Sequence, residues 1–234
     1  MSNLLVVKAA NLIRTGDIAG AEFALVSLAE TDGDHALVAV LEELPPKDLL
    51  AVIREYDASK ESVVNLLVTP EQFARALVME KLYSDHTHAR LRGMINAVLF
   101  RDDEQTGEFI EAIGEVDGGC EALIDYLSEH DEAVVHFGQF GTFNRHHTEE
   151  GDEVERFEAN DHDWRELTWL LKHDHPDMFE QILPDLKARM KKRLRQEAEL
   201  ENEEQQRTEL DAPEEKAAIK ETSVRVEPSE ESAL

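Results

Sequence analysis

Two helix starts with the same residue order lie between Leu41 and Tyr83, and they constrain the fold more than any other feature. The phrases LPPKDLL, at 44–50, and VTPEQF, at 68–73, both lead from an apolar residue through proline and polar residues into renewed apolar spacing. Proline suits the first turn of a helix, because the amide hydrogen it lacks would have no intrahelical partner there. Thr69 and Gln72 have the spacing of a capping box. Recurrence of the phrase after about 25 residues predicts a helical-repeat protein.

Apolar residues spaced three and four apart continue through the first 137 residues and predict further short helices. Turns rich in Gly, Pro or Asp separate them, and no stretch alternates polar and apolar residues as a half-buried strand would. The sequence therefore predicts an all-α fold, an α-solenoid or helical-repeat superhelix of about ten short helices. The predicted helices span 3–14, 18–30, 35–44, 47–56, 60–67, 70–83, 89–100, 105–116 and 120–129, with a last turn at 132–137.

The residue pattern changes after residue 137 and again after residue 189. Glycine, charge and scattered phenylalanine without helical spacing predict an acidic loop or insertion after residue 137. Helical spacing returns at Asp161, and proline-led helix starts recur at Pro176 and Pro184. An extended charged helix follows, and then a Pro-, Glu- and Ser-rich tail that is predicted to be disordered. The predicted organisation is a helical-repeat domain at 1–137, the loop at 138–160, docked C-terminal helices at 161–189, and the charged helix and tail at 190–234.

The formal net charge is −28, and most of it belongs to the body of the chain rather than to the tail. Residues 102–163 contain 20 acidic and 2 basic residues, whereas residues 186–234 contain 13 and 10. An acidic surface repels nucleic acid and anionic membranes and attracts basic proteins or cations. We therefore expect a basic protein partner, no direct nucleic-acid binding, and no cofactor beyond a weakly bound divalent cation. The alternative is that acidic helix faces only keep the protein in solution.

Two absences in the sequence bear on compartment and redox state. No apolar run approaches the ~20 residues that a membrane-spanning helix needs, so no membrane insertion is expected. Cys120 is the only cysteine, which excludes an internal disulfide. It follows two glycines at a predicted helix start, but its neighbours Asp117 and Glu121 favour a small buried side chain over a reactive thiolate. A cytoplasmic protein is expected.

Histidine is concentrated in the second half of the chain, where six of the ten histidines lie between His136 and His175. Zinc and related metals need three or four His, Cys or carboxylate ligands at fixed geometry. The sequence has no HExxH or CxxC motif, so the alternative is that these histidines are polar surface or helix-capping residues. The acidic runs at 102–104 and 149–155 are candidates for weak binding of a magnesium- or calcium-like cation. The candidate metal ligands are His146, His147, His162, His173 and His175.

Phenylalanine and acidic residues occur together in the loop at 138–160. Large aromatic residues there either anchor the loop to the helical body or form a patch that binds a partner. Carboxylates are too numerous, at 52 acidic residues, to single out a catalytic pair, so the protein is predicted to be non-enzymatic. The candidate partner-binding residues are Phe140, Phe143, Glu149, Glu150, Asp152, Glu153 and Glu155.

The phrases LPPKDLL and VTPEQFARAL, within residues 35–83, resemble the cytoplasmic N-terminal superhelical domain of bacterial MgtE-type magnesium transporters. Flagellar motor-switch proteins use related short-helix repeats. The resemblance implies a helical superhelix, and in that transporter family acidic faces of the domain help to sense magnesium. The match lies in helix starts and therefore assigns no magnesium ligand here. Because no membrane segment or nucleotide-sensing domain follows the repeats, the resemblance does not imply transport.

Three functional hypotheses follow from these patterns. The preferred one is a non-enzymatic bacterial helical-repeat protein that acts as an interaction scaffold or adaptor through its acidic surface. The second is an acidic nucleic-acid mimic that sequesters a nucleic-acid-binding protein, because an excess of 18 negative charges between Asp102 and Asp163 resembles a phosphate array. The third is a divalent-cation-responsive sensor or metal-dependent enzyme that uses the region rich in His and Asp. Competition with DNA for a basic partner separates the first two.

Overall fold

Every regular element in the described part of the chain is helical, which confirms the predicted all-α fold and its extended C-terminal helix. The computed structural model describes residues 4–55, 62–83, 89–144, 154–159 and 161–211. The α-helices are Leu4–Arg14 (α1), Ile18–Asp32 (α2), Asp34–Glu43 (α3), Pro46–Glu55 (α4), Val63–Leu67 (α5), Pro70–Tyr83 (α6), Ala89–Val98 (α7), Thr106–Glu115 (α8), Gly119–Leu127 (α9), Asp131–Phe140 (α10), Trp164–His173 (α11) and Pro176–Asp211 (α12). Two short 3-10 helices span Ser128–His130 and Arg156–Glu158.

The two proline-led helix starts are confirmed, because α4 begins at Pro46 and α6 begins at Pro70. At the start of α6 the Thr69 amide donates to Gln72 Oε1 at 3.1 Å, and the Gln72 amide donates to Thr69 Oγ1 at 3.3 Å. This reciprocal pair is the predicted capping box. It satisfies amides that a helix start leaves without intrahelical partners.

The proline-led start predicted at Pro184 is wrong, because Pro184 lies inside α12. The helix begins at Pro176, where another start was predicted. Ile182 and Leu186 are buried on either side of Pro184, so apolar contacts hold both turns against the core. This packing outweighs the cost of about 3 kcal/mol that an interior proline imposes on a helix.

One apolar core extends from α1 to the first turns of α12. Helices that are close in sequence supply most of the contacts: α2 packs on α1 and α3, and α6 packs on α4, α7, α8 and α9. Phe73 of α6 and Phe109 of α8 are fully buried and meet edge to face, with ring centroids 5.7 Å apart. Packing between near neighbours is the contact pattern of a helical-repeat protein.

A buried carboxylate on α2 caps the short helix α5. Glu22 is 7% exposed, and its Oε1 accepts hydrogen bonds from Ser62 Oγ and from the Val63 amide, both at 2.8 Å. Ser62 Oγ in turn accepts a hydrogen bond from the Asn65 amide at 3.3 Å. A helix of five residues is too short to be stable by itself. Its first turn is therefore held by a side chain 40 residues earlier in the chain.

Gly118 and Gly119 make the close turn between α8 and α9 possible. Gly118 has a φ of +87°, in the left-handed region that favours glycine. A Cβ atom at Gly119 would lie 1.8 Å from the Ile113 carbonyl oxygen, which no side chain tolerates. The backbone at the start of α9 therefore lies directly against α8, and Cys120 comes close to the last turn of α8.

Helix α10 extends three residues into the predicted loop at 138–160 and ends at Phe140. Gly138 lies inside α10, and side chains of α12 pack within 3.2 Å of the place where its Cβ would lie. The helix ends instead at Gly141, whose φ is +74° and whose amide donates to the Phe137 carbonyl oxygen. Residues 145–153 and 160 of the predicted loop lie outside the described residues.

Contacts divide the chain into two units, Met1–Met190 and Lys191–Leu234. The first unit contains the apolar core. In the second unit the described residues form ion pairs four residues apart along the helix, Arg193–Glu197 and Arg195–Glu199, each at 3.0 Å. Residues 212–234 of the tail that is predicted to be disordered lie outside the described residues. Within the described ranges, no helix combines the length and the apolar character needed to cross a membrane.

Candidate functional site

An acidic cleft of about 540 Å³ lies between α8 and the turn that joins α11 to α12. Glu111 and Glu115 come from α8, and Asp174 and Asp177 come from the turn and the first residues of α12. All four carboxylates are exposed, and the lining includes no Lys or Arg. Like charges around a concave surface create a potential that attracts cationic groups. We call this site, defined by these four carboxylates with Cys120 and His175, the α8–α12 cleft.

The amphipathic helix α8 forms one wall of the α8–α12 cleft. Its apolar face is buried in the core, which leaves Glu111 and Glu115 one turn apart on the outer face. Helix α12 approaches α8 at Gly114, where a Cβ would lie 2.2 Å from the terminal methyl group of Met178. A larger residue at Gly114 would displace that methyl group.

Cys120 and His175 line the α8–α12 cleft together with the four carboxylates. Cys120 is 7% exposed, and burial, reinforced by the Glu121 carboxylate, raises the pKa of its thiol. The thiol therefore stays protonated at neutral pH and is a poor nucleophile and a poor metal ligand. This is the small buried side chain that the sequence favours. His175, a predicted metal ligand, is half-buried in this cleft.

A second cleft, of about 580 Å³, lies beside the turn that follows α7. It has three carboxylates, from Asp103, Glu104 and Glu155, and one guanidinium group, from Arg156. The ring of Phe157, which is 77% exposed, forms part of its lining. Of the predicted acidic partner-binding residues, the structure describes Glu155. We call this site the Asp103 cleft, and its carboxylates and exposed ring suit a partner with both cationic and apolar side chains.

Asp103 also belongs to a group of three side chains that can bind a metal. Asp103, His162 and Glu166 each place one ligand atom within 4.8 Å of the others. Imidazole suits zinc and other transition metals, whereas carboxylates also accept manganese and magnesium. The mixed ligand set therefore fits an ion such as Zn²⁺ or Mn²⁺.

Glu166 is the buried member of this group, at 1% exposure. Its Oε2 accepts a hydrogen bond from the His162 amide at 3.0 Å and lies 3.6 Å from His162 Nδ1. Its Oε1 lies 4.0 Å from a guanidinium nitrogen of Arg156. Burial raises the pKa of Glu166, and the His162 amide and the Arg156 charge oppose this effect. These contacts orient the carboxylate before any ligand is bound.

His162 is the predicted metal candidate that the structure places in this group. His173 is exposed and stacks on Trp169, with ring centroids 4.3 Å apart. Together with His175 in the α8–α12 cleft, the described candidates therefore lie at three different places. The remaining candidates lie outside the described residues: His146, His147, Glu149, Glu150, Asp152 and Glu153.

The predicted partner-binding residues Phe140 and Phe143 contact rings within the chain itself. Phe143 stacks on Phe137 with centroids 4.3 Å apart and meets Trp164 edge to face at 5.3 Å. Phe140 lies against His136 at 4.7 Å. The Phe143 contacts are those of the anchoring interpretation, because they fix the chain after α10 to α10 and α11, whereas the contact between Phe140 and His136 lies within α10.

Glu111 and Glu115 line the α8–α12 cleft, and Glu166 belongs to the group that can bind a metal, but their sequence contexts did not single them out. For Glu166 a signal exists, because it precedes Leu167 and stands four residues before Leu170 on the buried face of α11. A carboxylate on a buried face needs polar partners, so its position points to neighbouring polar groups. No protein family, curated protein or solved structure matches this chain.

Proposed function

We propose that this chain is a non-enzymatic, cytoplasmic helical-repeat protein that binds a basic partner through its acidic surface, as a scaffold or adaptor. The α8–α12 cleft carries the proposal, because it gathers four exposed carboxylates on one concave surface without a Lys or Arg in its lining. The volume of about 540 Å³ lies within the range of sites that bind small ligands or a few side chains. A segment rich in lysine or arginine matches this site in charge and in size.

The exposure of the carboxylates determines what kind of binding to expect. An exposed ion pair contributes only about 0.2–1 kcal/mol, so affinity requires several pairs at once. The field of the whole chain, with its net charge of −28, adds long-range attraction that accelerates encounter. Both contributions weaken as salt screens them. Binding that is moderate, fast and strongly salt-dependent is therefore expected.

The test compares two variants that each remove four negative charges. Binding of a fluorescent octalysine peptide to each is measured by anisotropy over a series of salt concentrations. The cleft variant combines Glu111→Gln, Glu115→Gln, Asp174→Asn and Asp177→Asn. The control variant neutralises four exposed residues on α2, α3 and α4 by Glu30→Gln, Asp34→Asn, Glu42→Gln and Glu55→Gln.

Four exposed pairs at about 0.5 kcal/mol each predict a loss of roughly 30-fold in affinity for the cleft variant. The control variant changes the net charge equally but leaves the cleft intact, so its loss is expected to be under about threefold. Equal losses in the two variants would assign binding to overall charge and contradict the proposal. In a pull-down from the native host, release of bound proteins by duplex DNA would instead favour the nucleic-acid mimic.

A second candidate function, the binding of a divalent cation, is favoured by the group of Asp103, His162 and Glu166. His162→Asn removes the imidazole but suits the backbone, because asparagine tolerates the left-handed φ of +50° found there. His173→Asn is the matched control, since His173 is exposed and lies outside the group. Zn²⁺ and Mn²⁺ are titrated calorimetrically into chelator-treated protein.

One site per chain is expected in the wild type and in the control, and His162→Asn is expected to weaken it by at least roughly tenfold. No heat of binding in the wild type would remove this candidate function. Equal losses in His162→Asn and His173→Asn would assign binding to other side chains. Neither result bears on the α8–α12 cleft, because the two sites share no residue.

A further inference from the structure

The described residues of the second unit carry their charges in two separate blocks along α12. The basic block contains four positive and no negative side chains, those of Lys191, Lys192, Arg193 and Arg195. The acidic block follows Gln196 and contains five negative and no positive side chains, those of Glu197, Glu199, Glu201, Glu203 and Glu204. All of these side chains are exposed except that of Arg193, which is half-buried. A helix with one positive and one negative segment is complementary in charge to a reversed copy of itself.

Ion pairs within the helix use only part of this charge. Arg193 and Arg195 each pair with the glutamate four residues later, at 3.0 Å. Such a pair is more stabilising when the glutamate precedes the cation, so both pairs have the weaker orientation. Among the described residues, Lys191 and Glu201 form no ion pair. Contacts within the helix therefore leave charge in both blocks that another helix can neutralise.

One side of this part of α12 combines two apolar residues with charges of both signs. Leu194, which is 42% exposed, and Ala198, which is also exposed, lie about one turn apart on this side. The helical repeat places Lys191 before them and Glu201 after them on the same side. We call this side the α12 pairing face, and it consists of Lys191, Leu194, Arg195, Glu197, Ala198 and Glu201.

The order of residues in the α12 pairing face makes it complementary to itself. In an antiparallel pair of helices with a two-fold axis beside Gln196, residues equally far before and after Gln196 lie opposite each other. The opposed residues of the face are then Lys191 and Glu201, Leu194 and Ala198, and Arg195 and Glu197. A parallel pair would instead bring each block against the block of the same sign, so the charges select the antiparallel orientation.

We propose that α12 binds the α12 of a second copy of this chain through the α12 pairing face, as an antiparallel pair with two-fold symmetry. A second copy matches both blocks, whereas a basic protein is complementary to the acidic block alone, and nucleic acid or an anionic membrane to the basic block alone. Exposed ion pairs contribute little each, so we expect a dimer that dissociates on dilution. The face shares no residue with the α8–α12 cleft, so this inference does not depend on the proposed function.

The experiment reverses the charges of the α12 pairing face in two complementary variants of the full chain. The acidic variant combines Lys191→Glu and Arg195→Glu, and the basic variant combines Glu197→Lys and Glu201→Lys. In either variant every charged side chain of the face has the same sign, so two copies repel each other. A mixture of the two variants restores opposite charges at every opposed pair. Light scattering and sedimentation velocity measure the molar mass of the wild type, of each variant and of the mixture, at concentrations up to about 1 mM.

A control variant makes the same change of charge on the other side of the helix. It combines Lys192→Glu and Arg193→Glu, which remove the ion pair between Arg193 and Glu197, as the acidic variant removes that between Arg195 and Glu199. Circular dichroism verifies that every variant keeps its helical content, as expected for substitutions at such positions.

The wild type and the control are expected to approach twice the chain mass of 26.5 kDa as concentration rises. The acidic and the basic variant, each alone, are expected to dimerise at least roughly 100-fold more weakly, because attractive pairs become repulsive ones. Their equimolar mixture is expected to dimerise about as strongly as the wild type. Rescue by mixing also excludes misfolding as the cause of the loss, because a variant without its helix would not pair.

Four results would overturn the proposal. A wild type with the mass of one chain at every concentration would show that α12 does not pair. A mixture that fails to restore the dimer would show that the two blocks do not face each other. Equal weakening in the control variant would assign the association to overall charge. Loss of the dimer when the four carboxylates of the α8–α12 cleft are neutralised would place the basic block of one copy in the cleft of the other instead.

Discussion

Removal of the Glu22 carboxylate is expected to destabilise the first unit by about 2–4 kcal/mol. Glu22 Oε1 accepts two hydrogen bonds at the start of α5, from Ser62 Oγ and the Val63 amide, both at 2.8 Å. A hydrogen bond to a charged group contributes about 1.5–3 kcal/mol, so the two together contribute about 3–6 kcal/mol. Within the described residues, the buried Oε2 has no hydrogen-bond partner. Relief of that desolvation on mutation returns about 1–2 kcal/mol, which gives the net figure.

Two substitutions separate the charge from the hydrogen bonds. Glu22→Ala removes both, whereas Glu22→Gln keeps an acceptor oxygen without the charge and should cost about 1 kcal/mol. Glu30→Ala is the control, since Glu30 lies on the same helix and is exposed, and it should change stability by less than about 0.5 kcal/mol. The loss of stability is therefore expected to be largest for Glu22→Ala, smaller for Glu22→Gln and smallest for Glu30→Ala.

Urea unfolding followed by circular dichroism measures these differences. At a slope of about 3 kcal/mol per molar urea, Glu22→Ala should lower the midpoint by about 1 M. Amide exchange should also accelerate at Val63 and Asn65, because α5 opens locally when its cap is lost. A midpoint for Glu22→Ala equal to that of Glu30→Ala, with unchanged exchange at Val63, would refute this account of α5.

Three further predictions concern the core and two titratable groups. Phe73→Ala should cost about 3–5 kcal/mol in urea unfolding, because the ring is fully buried against Phe109; a loss below about 2 kcal/mol would contradict that packing. Iodoacetamide should alkylate Cys120 at least roughly tenfold more slowly in the folded than in the urea-unfolded protein, because burial raises the pKa of the thiol and blocks access; equal rates would show an open thiol. Burial lowers the pKa of His130, so the folded state binds fewer protons than the unfolded state, and stability should fall as pH drops below about 6.5. Urea midpoints measured against pH should lose part of this slope in His130→Gln, and an unchanged slope would exclude His130 as its source.

Helix starts were predictable where the signal acts within one turn. Pro70 and the Thr69–Gln72 capping box are read from residues three apart, and both are found in the structure. The proline phrase at Pro184 has the same local form but begins no helix. There the outcome depends on the burial of Ile182 and Leu186 in a core that exists only in the folded chain. Local sequence signals therefore indicate possible helix boundaries, and tertiary packing determines which of them occur in the folded chain.

The acidic character of the candidate sites was predictable from the sequence, but the particular residues that form each site were not. The excess of carboxylates between 102 and 163 already indicated an acidic surface. However, the α8–α12 cleft joins Glu111 to Asp174, about 60 residues later, and nothing in one sequence pairs two such residues. Asp103 and Glu166 likewise meet only through the packing of the helices. The sequence shows the type of each residue directly, whereas the residues of a site are brought together by contacts between distant parts of the chain.

The ring contacts of α11 make the unmodified protein an optical reporter. Both tryptophans of the chain lie on this helix, and each indole stacks on an imidazole, Trp164 on His130 and Trp169 on His173, at 4.3 Å in each pair. An imidazolium ion in contact with an indole ring quenches its emission, so protonation of His130 is expected to change the fluorescence of Trp164. Trp164 is also two residues from the buried Glu166. Binding of a cation or a peptide that shifts α11 would therefore be visible as a change in intrinsic emission, without an attached dye.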